Sequence, residues 1–207
     1  MRPAGPGRRA AFASALVLLA ACAPSASGQA DIPQGEGYDF FVLSLSWSPS
    51  YCEAEGEDAN RQQCGGARDH GFVVHGLWPQ YERGWPEFCD HDEPGRVPDA
   101  LVRANLDLIP SAGLIGHQWR KHGSCAGMSQ RDYLSVVRAA RERVSIPPRF
   151  EEPARDMRIA PAEVEAAFLA ANAGMEADGI AVSCDGRYLS EVRSCMTRTL
   201  EFRSCPE

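Results

Sequence analysis

The chain has 207 residues, of which 44% are hydrophobic and 24% charged, ordinary values for a soluble globular domain with a buried core. Its formal charge is −7, more acidic still once Arg2, Arg8 and Arg9 leave with a leader, which excludes holding nucleic acid by broad non-specific attraction. Any nucleic-acid site must then be local, with a few cations placed at the phosphate.

Residues 1–30 read as a leader and tether. Arg8 and Arg9 form a basic start, and residues 10–20 are an apolar run of the length used in export signals, too short to span a bilayer. Two processing outcomes are open. Leu19-Ala20-Ala21-Cys22 resembles a bacterial lipobox, with Cys22 lipidated; a small-residue site near Ala26 or Ala30 would instead release a soluble protein. Either outcome implies export to the periplasm or the medium, tethered to the membrane in the first case. Residues 25–37 are small and polar, a flexible tether.

A single domain is expected over residues 31–207. Residues 38–47 (YDFFVLSLSW) predict a largely buried strand. Residues 48–69 read as a polar loop carrying Cys52 and Cys64. Residues 71–77 predict a second buried strand, ended by Trp78-Pro79, and residues 84–98 a turn-rich loop. Helices follow over 98–108, 114–122, 129–144 and 161–173. The third is the clearest, with Ser129 as cap and Tyr133, Val136, Val137, Ala140 and Val144 on one stripe. Pro161 opens the fourth and Gly174 follows it. Strands return over 180–184, 188–196 and 199–204. Strands, helices, then strands predict an α+β fold: a mainly antiparallel central sheet flanked by helices.

Eight cysteines occur, at 22, 52, 64, 89, 125, 184, 195 and 205. In an exported chain they favour disulfides, and their irregular spacing, without a C-x-x-C pair, does not suit zinc. With Cys22 removed or lipidated, seven remain, so one lacks an intrachain partner.

The five histidines, at 70, 75, 91, 117 and 122, fall in one stretch of the chain. A lone histidine is more often structural than catalytic, so clustering alone decides little. The segment GHQWRKHGSC, residues 116–125, says more. On a helix, His117 and Lys121 lie about 40° apart and Gln118 and His122 form the adjacent stripe, all within an arc of roughly 140°. Trp119 points away, as a core anchor would. Two imidazoles, an ammonium and a carboxamide on one face suit a phosphate, supplying charge, hydrogen-bond donors and a proton carrier near neutral pH. Lys121 is the only lysine; the other twenty basic side chains are arginines. Its compact point charge differs from the arginine fork, which suggests a specific demand at this site. His117 and His122 are five apart and cannot make the i, i+4 pair of a helical zinc site. Asp90-His91-Asp92 reads as a solvated loop.

His75-Gly-Leu-Trp-Pro-Gln80 and His117-Gln-Trp-Arg-Lys-His-Gly-Ser-Cys125 resemble the two active-site blocks of the ribonuclease T2 family. The resemblance extends to residues 39–52 and 189–205, most of the chain beyond the leader. It implies an α+β endoribonuclease that cuts single-stranded RNA through a 2′,3′-cyclic phosphate, with no metal or other cofactor. It makes His122 the base and His75 the acid, an order that the residues alone leave open. It also places His117 at the phosphate, Gln118 and Lys121 at the transition state, and Trp78 and Gln80 at a base. Trp85 could join Trp78 as a stacking surface or pack in the core. Bridges Cys52–Cys64, Cys89–Cys125 and Cys195–Cys205 are expected, the last by resemblance. Cys184 is left free because the family's usual partner for it would lie beyond this chain's end. One residue departs from the family pattern: Gln118 stands where a glutamate is usual. A carboxamide cannot exchange protons at neutral pH but can donate N–H to a phosphoryl oxygen. The protein is expected to act as a monomer on RNA. Two rival readings are an exported RNA-binding module without turnover and a metal-dependent phosphoesterase.

Overall fold

The computed structural model describes Met1 and residues 32–65, 70–151, 158–186 and 188–206. The chain divides into Met1–Ala30 and Asp31–Glu207, and the elements below all lie in the second unit. Cys22 and the processing sites lie outside the described residues. Among those described, no helix is long and apolar enough to cross a membrane.

Strand β1 (Phe40–Trp47) is the structural centre. Its Phe41, Leu43, Leu45 and Trp47 are almost wholly buried and enter one hydrophobic cluster with Ile115, Trp119, Tyr133, Val136 and Val137. The alternate positions Val42, Ser44 and Ser46 turn to the other face, as the two-residue period of a strand requires. β1 pairs antiparallel with β2 (Phe72–Gln80) on one side and β4 (Tyr188–Met196) on the other, and β4 pairs with β3 (Ile180–Asp185). The order β2-β1-β4-β3 makes an antiparallel sheet, and with its helices the fold is α+β.

Several local expectations are corrected, among them the helix expected over 98–108, which covers only Asp99–Arg103. The stretch expected as a polar loop contains helices α1 (Ser48–Glu55) and α2 (Arg61–Cys64). Pro49 opens α1, the Asn60 side chain caps α2, and the Cys52–Cys64 bridge joins them; neither helix carries the apolar stripe that reveals a helix in sequence. β2 does not end at Leu77 but runs through Trp78-Pro79-Gln80. Pro79 is tolerated because β2 is an edge strand, where its missing N–H costs no inner ladder bond. Residues 199–204 form no strand. Leu200 takes a positive φ of 64°, Phe202 makes one isolated bridge to Met196, and the Cys195–Cys205 bridge pins the segment as a turn.

The helices α3 (Asp99–Arg103), α4 (Ala112–Lys121), α5 (Gln130–Arg143) and α6 (Pro161–Ala171) complete the domain. α4 begins two residues earlier than its pattern suggests, because the Ser111 hydroxyl caps it by accepting from the Leu114 N–H at 3.2 Å. In α5 the Ser129 hydroxyl caps the helix by accepting from the Asp132 N–H, and it donates to the Asp132 carboxylate. The Tyr133 hydroxyl donates to the Leu77 carbonyl at 2.7 Å, tying α5 to β2. A third bridge joins Cys89 to Cys125, and among the described residues Cys184 is the free cysteine.

Candidate active site

A cleft of about 470 Å³ opens between β2 and the C-terminal end of α4. His75, Trp78, Gln80, Trp85, His117, Gln118, Lys121 and His122 all line it, so the structure brings every one of these candidates together. Val42 and Arg193 complete the lining. His70 and His91 are not among its residues.

His75 lies within β2, not at its end. The β1–β2 register steps between Ser44–Gly76 and Leu45–Val74, which leaves His75 as the extra residue of a β-bulge. A bulge re-aims the side chain it carries. Here the imidazole reaches over the central strand towards β4, where its Nδ1 lies 2.9 Å from Glu191 Oε1. Ser44 of β1, completely buried between the two, donates its hydroxyl to the same carboxylate oxygen. Arg193 Nε donates to the other oxygen, Oε2, at 2.7 Å. Burial pushes the Glu191 carboxyl up, but the His75 and Ser44 hydrogen bonds and the Arg193 charge outweigh it and hold the group below the usual range.

His122 comes from the opposite wall. It is the first residue past α4, its N–H still bonded to the Gln118 carbonyl at 3.0 Å, and a tight turn over Gly123–Cys125 follows. The ring is buried, and among the described residues nothing hydrogen-bonds its Nδ1. Burial, then the charges of Lys121, His117 and His75, lower its pKa to about 4. The ring is therefore neutral at pH 7. His117, on the exposed side of α4, is also lowered, by desolvation first and then by Lys121, Arg120 and His75. The Lys121 ammonium lies 3.5 Å from Glu87 Oε2 at the cleft rim. Trp119 points into the core, 1% exposed, with its indole N–H on the Pro94 carbonyl.

One hydrogen bond joins the walls. Trp78 Nε1 donates to Gln118 Oε1 at 2.9 Å, and Gln118 is 3% exposed. Only a glycine at 76 leaves room for it: a Cβ there would stand 2.1 Å from Gln118 Oε1 and 2.3 Å from Trp78 Nε1. The Trp78 ring is itself engaged, stacked on His122 at 5.3 Å, edge-on to His75 at 5.5 Å, and with the Arg193 guanidinium 5.1 Å from its centroid. Trp85, by contrast, is 64% exposed, so its alternative role in core packing falls away.

Sequence reasoning missed Glu191, Arg193 and Phe88. Phe88 is 59% exposed, lies edge-on to His117, and holds a positive φ of 51°, unusual for a bulky side chain. Its N–H donates to the Lys121 carbonyl, and the adjacent Cys89–Cys125 bridge fixes the loop to the end of α4. The one available signal for Glu191 was an acid among the apolar residues of a predicted strand.

The chain belongs to the ribonuclease T2 family, whose model matches residues 38–205. A ribonuclease of Aeromonas hydrophila is 40% identical over 126 residues, which cover 61% of this chain and 55% of that protein. A probable ribonuclease of Haemophilus influenzae is 38% identical over 109 residues, 47% of this chain and 40% of the relative. The chain thus spans about half the length of the curated relatives it matches. Among solved structures, RNase NT in complex with 5′-AMP superposes with a TM-score of 0.63 at 24% identity, covering 83% of this chain and 92% of that one. Trichomaglin, an S-like ribonuclease, gives 0.64 at 18% identity over 81% and 91%. At these identities the structural likeness establishes the shared fold.

Proposed function

We propose that this protein is an endoribonuclease that cuts single-stranded RNA by transphosphorylation, with His122 as base and His75 as acid. The observation that carries this is the convergence of a neutral, buried His122 and a carboxylate-bound His75 on one cleft with His117 and Lys121. Transfer of a proton at each end of the reaction needs one imidazole without its extra proton and one with it.

His122 takes the proton of the ribose 2′-OH as that oxygen attacks phosphorus. The bond from phosphorus to the 5′-oxygen breaks, and His75 protonates the departing oxygen. The products are a 2′,3′-cyclic phosphate and a 5′-hydroxyl. Charge grows on the non-bridging oxygens meanwhile, and Lys121 and His117 face it. Gln118 Oε1 is committed to Trp78, which leaves its amide N–H groups for a phosphoryl oxygen. Acid, base and charge are all supplied by side chains, so no metal is required. With the Trp78 ring occupied by His122 and Arg193, base stacking falls mainly to the exposed faces of Trp85 and Phe88, with Gln80 at the base edge.

Export is part of the same proposal. The leader pattern of residues 1–30 and the three bridges both suit an oxidising compartment, reached either through lipidation at Cys22 or through cleavage nearby. The enzyme would work there as a monomer.

The test is incubation with single-stranded RNA in EDTA. Fragments ending in 2′,3′-cyclic phosphate are expected. Intact RNA would overturn the proposal, in favour of a non-catalytic binder or, if added metal restored cutting, a metal-dependent phosphoesterase.

A further inference from the structure

A buried carboxylate is costly unless it is paired and hydrogen-bonded. Glu191 is 7% exposed, on a strand that elsewhere buries Leu189, Val192, Cys195 and Met196. All its described partners are hydrogen donors: His75 on one oxygen together with Ser44, and Arg193 on the other. We infer that Glu191 is the positioning residue of His75, fixing its tautomer and favouring its protonated ring, with Arg193 as the counter-charge that sets how strongly it does so. This rests on the acid role proposed for His75.

The tautomer follows from donor and acceptor chemistry. An ionised carboxylate only accepts, so Nδ1 must carry hydrogen and Nε2 is the atom that gains and gives the catalytic proton. The favoured charge state follows from the surroundings. From α4 and its end, His117 and His122 couple electrostatically to His75, and Lys121 lines the same cleft. From β4 come Glu191 and Arg193. Glu191 is thus the anion in direct contact with a ring otherwise faced by cations and potential cations. His122 is the contrasting case, more deeply buried than His75. It shares the cationic surroundings and has no carboxylate, and burial first, then those charges, drive it to about 4. Position 118 carries a carboxamide engaged with Trp78, and among the described residues Glu191 is the carboxylate hydrogen-bonded to a histidine of the cleft lining.

The contact also explains two features of the sheet. The bulge at His75 turns its ring across β1, and the small Ser44 lets the two side chains meet above that strand. Arg193 and Glu191 share a face of β4, two residues apart, opposite Ser44 and Ser46.

Ring ¹⁵N NMR of the full chain without substrate tests this on the wild type, Glu191→Gln and Arg193→Gln, with kcat and KM measured against pH in parallel. Wild-type His75 should show the Nδ1–H tautomer. Glu191→Gln should lower its titration midpoint by about one pH unit or more, release the tautomer, and move the basic limb of kcat downward, KM changing little. Arg193→Gln should move the midpoint the opposite way. A His75 midpoint and tautomer unchanged in a folded Glu191→Gln protein would overturn the inference. If that variant does not fold, the sign in Arg193→Gln decides, and a downward or absent shift overturns it. A wild type that cuts no RNA would refute the proposed activity, while the ring titrations would still decide the role of Glu191.

Discussion

The two walls of the cleft present the same side chain in opposite settings. On the sheet side, His75 is 39% exposed at its side chain and hydrogen-bonded through Nδ1 to a buried carboxylate. On the helix side, His122 is buried, its Nδ1 is without a partner among the described residues, and its charged neighbours all disfavour a proton. The difference teaches that the acid and base roles proposed for this cleft need not come from different residue types. They come from how deeply each ring is buried and from which wall carries the anion. The sheet can bring a carboxylate to His75 because three adjacent strands place β2, β1 and β4 side chains on one face. The end of α4 has only cations and a carboxamide to offer His122.

Removing either imidazole should produce the largest effect. His75→Ala and His122→Ala are each expected to lower kcat by at least about 10²-fold while RNA binding survives. Steady-state kinetics with a parallel binding measurement checks this; near-normal turnover in either variant would dissolve the division of roles.

The seam between the walls is the next point to strain. Gly76→Ala would place a methyl group on the Trp78–Gln118 hydrogen bond, so Trp78 and both rings packed against it must shift. Overpacking of this kind costs about 1–3 kcal/mol, and small misplacements weaken catalysis strongly. A fall in kcat larger than the fall in urea stability predicts is expected. Equal stability and unchanged kcat would show that the walls do not depend on this contact.

The smallest effect sharpens the electrostatic half of the comparison. Gln118→Glu would place an anion within one helical turn of His122 and favour its imidazolium. The pKa, now about 4, should rise, so the base form is lost at higher pH and the acidic limb of kcat/KM moves upward. Lys121 offsets part of the new charge, which keeps the movement modest. An acidic limb that stays put or moves down would show that residue 118 does not sense His122.

Much of the fold and part of the site were open to sequence reasoning, because they depend on neighbours along the chain. The apolar run of β1, the cap and stripe of α5, and the shared face of His117, Gln118, Lys121 and His122 are local patterns with periods of 2 or 3.6 residues. The lone lysine and the two histidine blocks likewise marked the cleft from both sides. Helices α1 and α2 escaped because short polar helices closed by caps and a disulfide leave no periodic apolar signal. Glu191 escaped for a deeper reason. Its meeting with His75 spans 116 residues and depends on sheet order, on register and on one extra residue in β2. A one-residue slip would turn the side chain to the other face, and nothing local to residues 188–196 records where the bulge in β2 falls. Chain chemistry therefore decided which groups could take part, whereas tertiary structure alone decided which imidazole received the carboxylate.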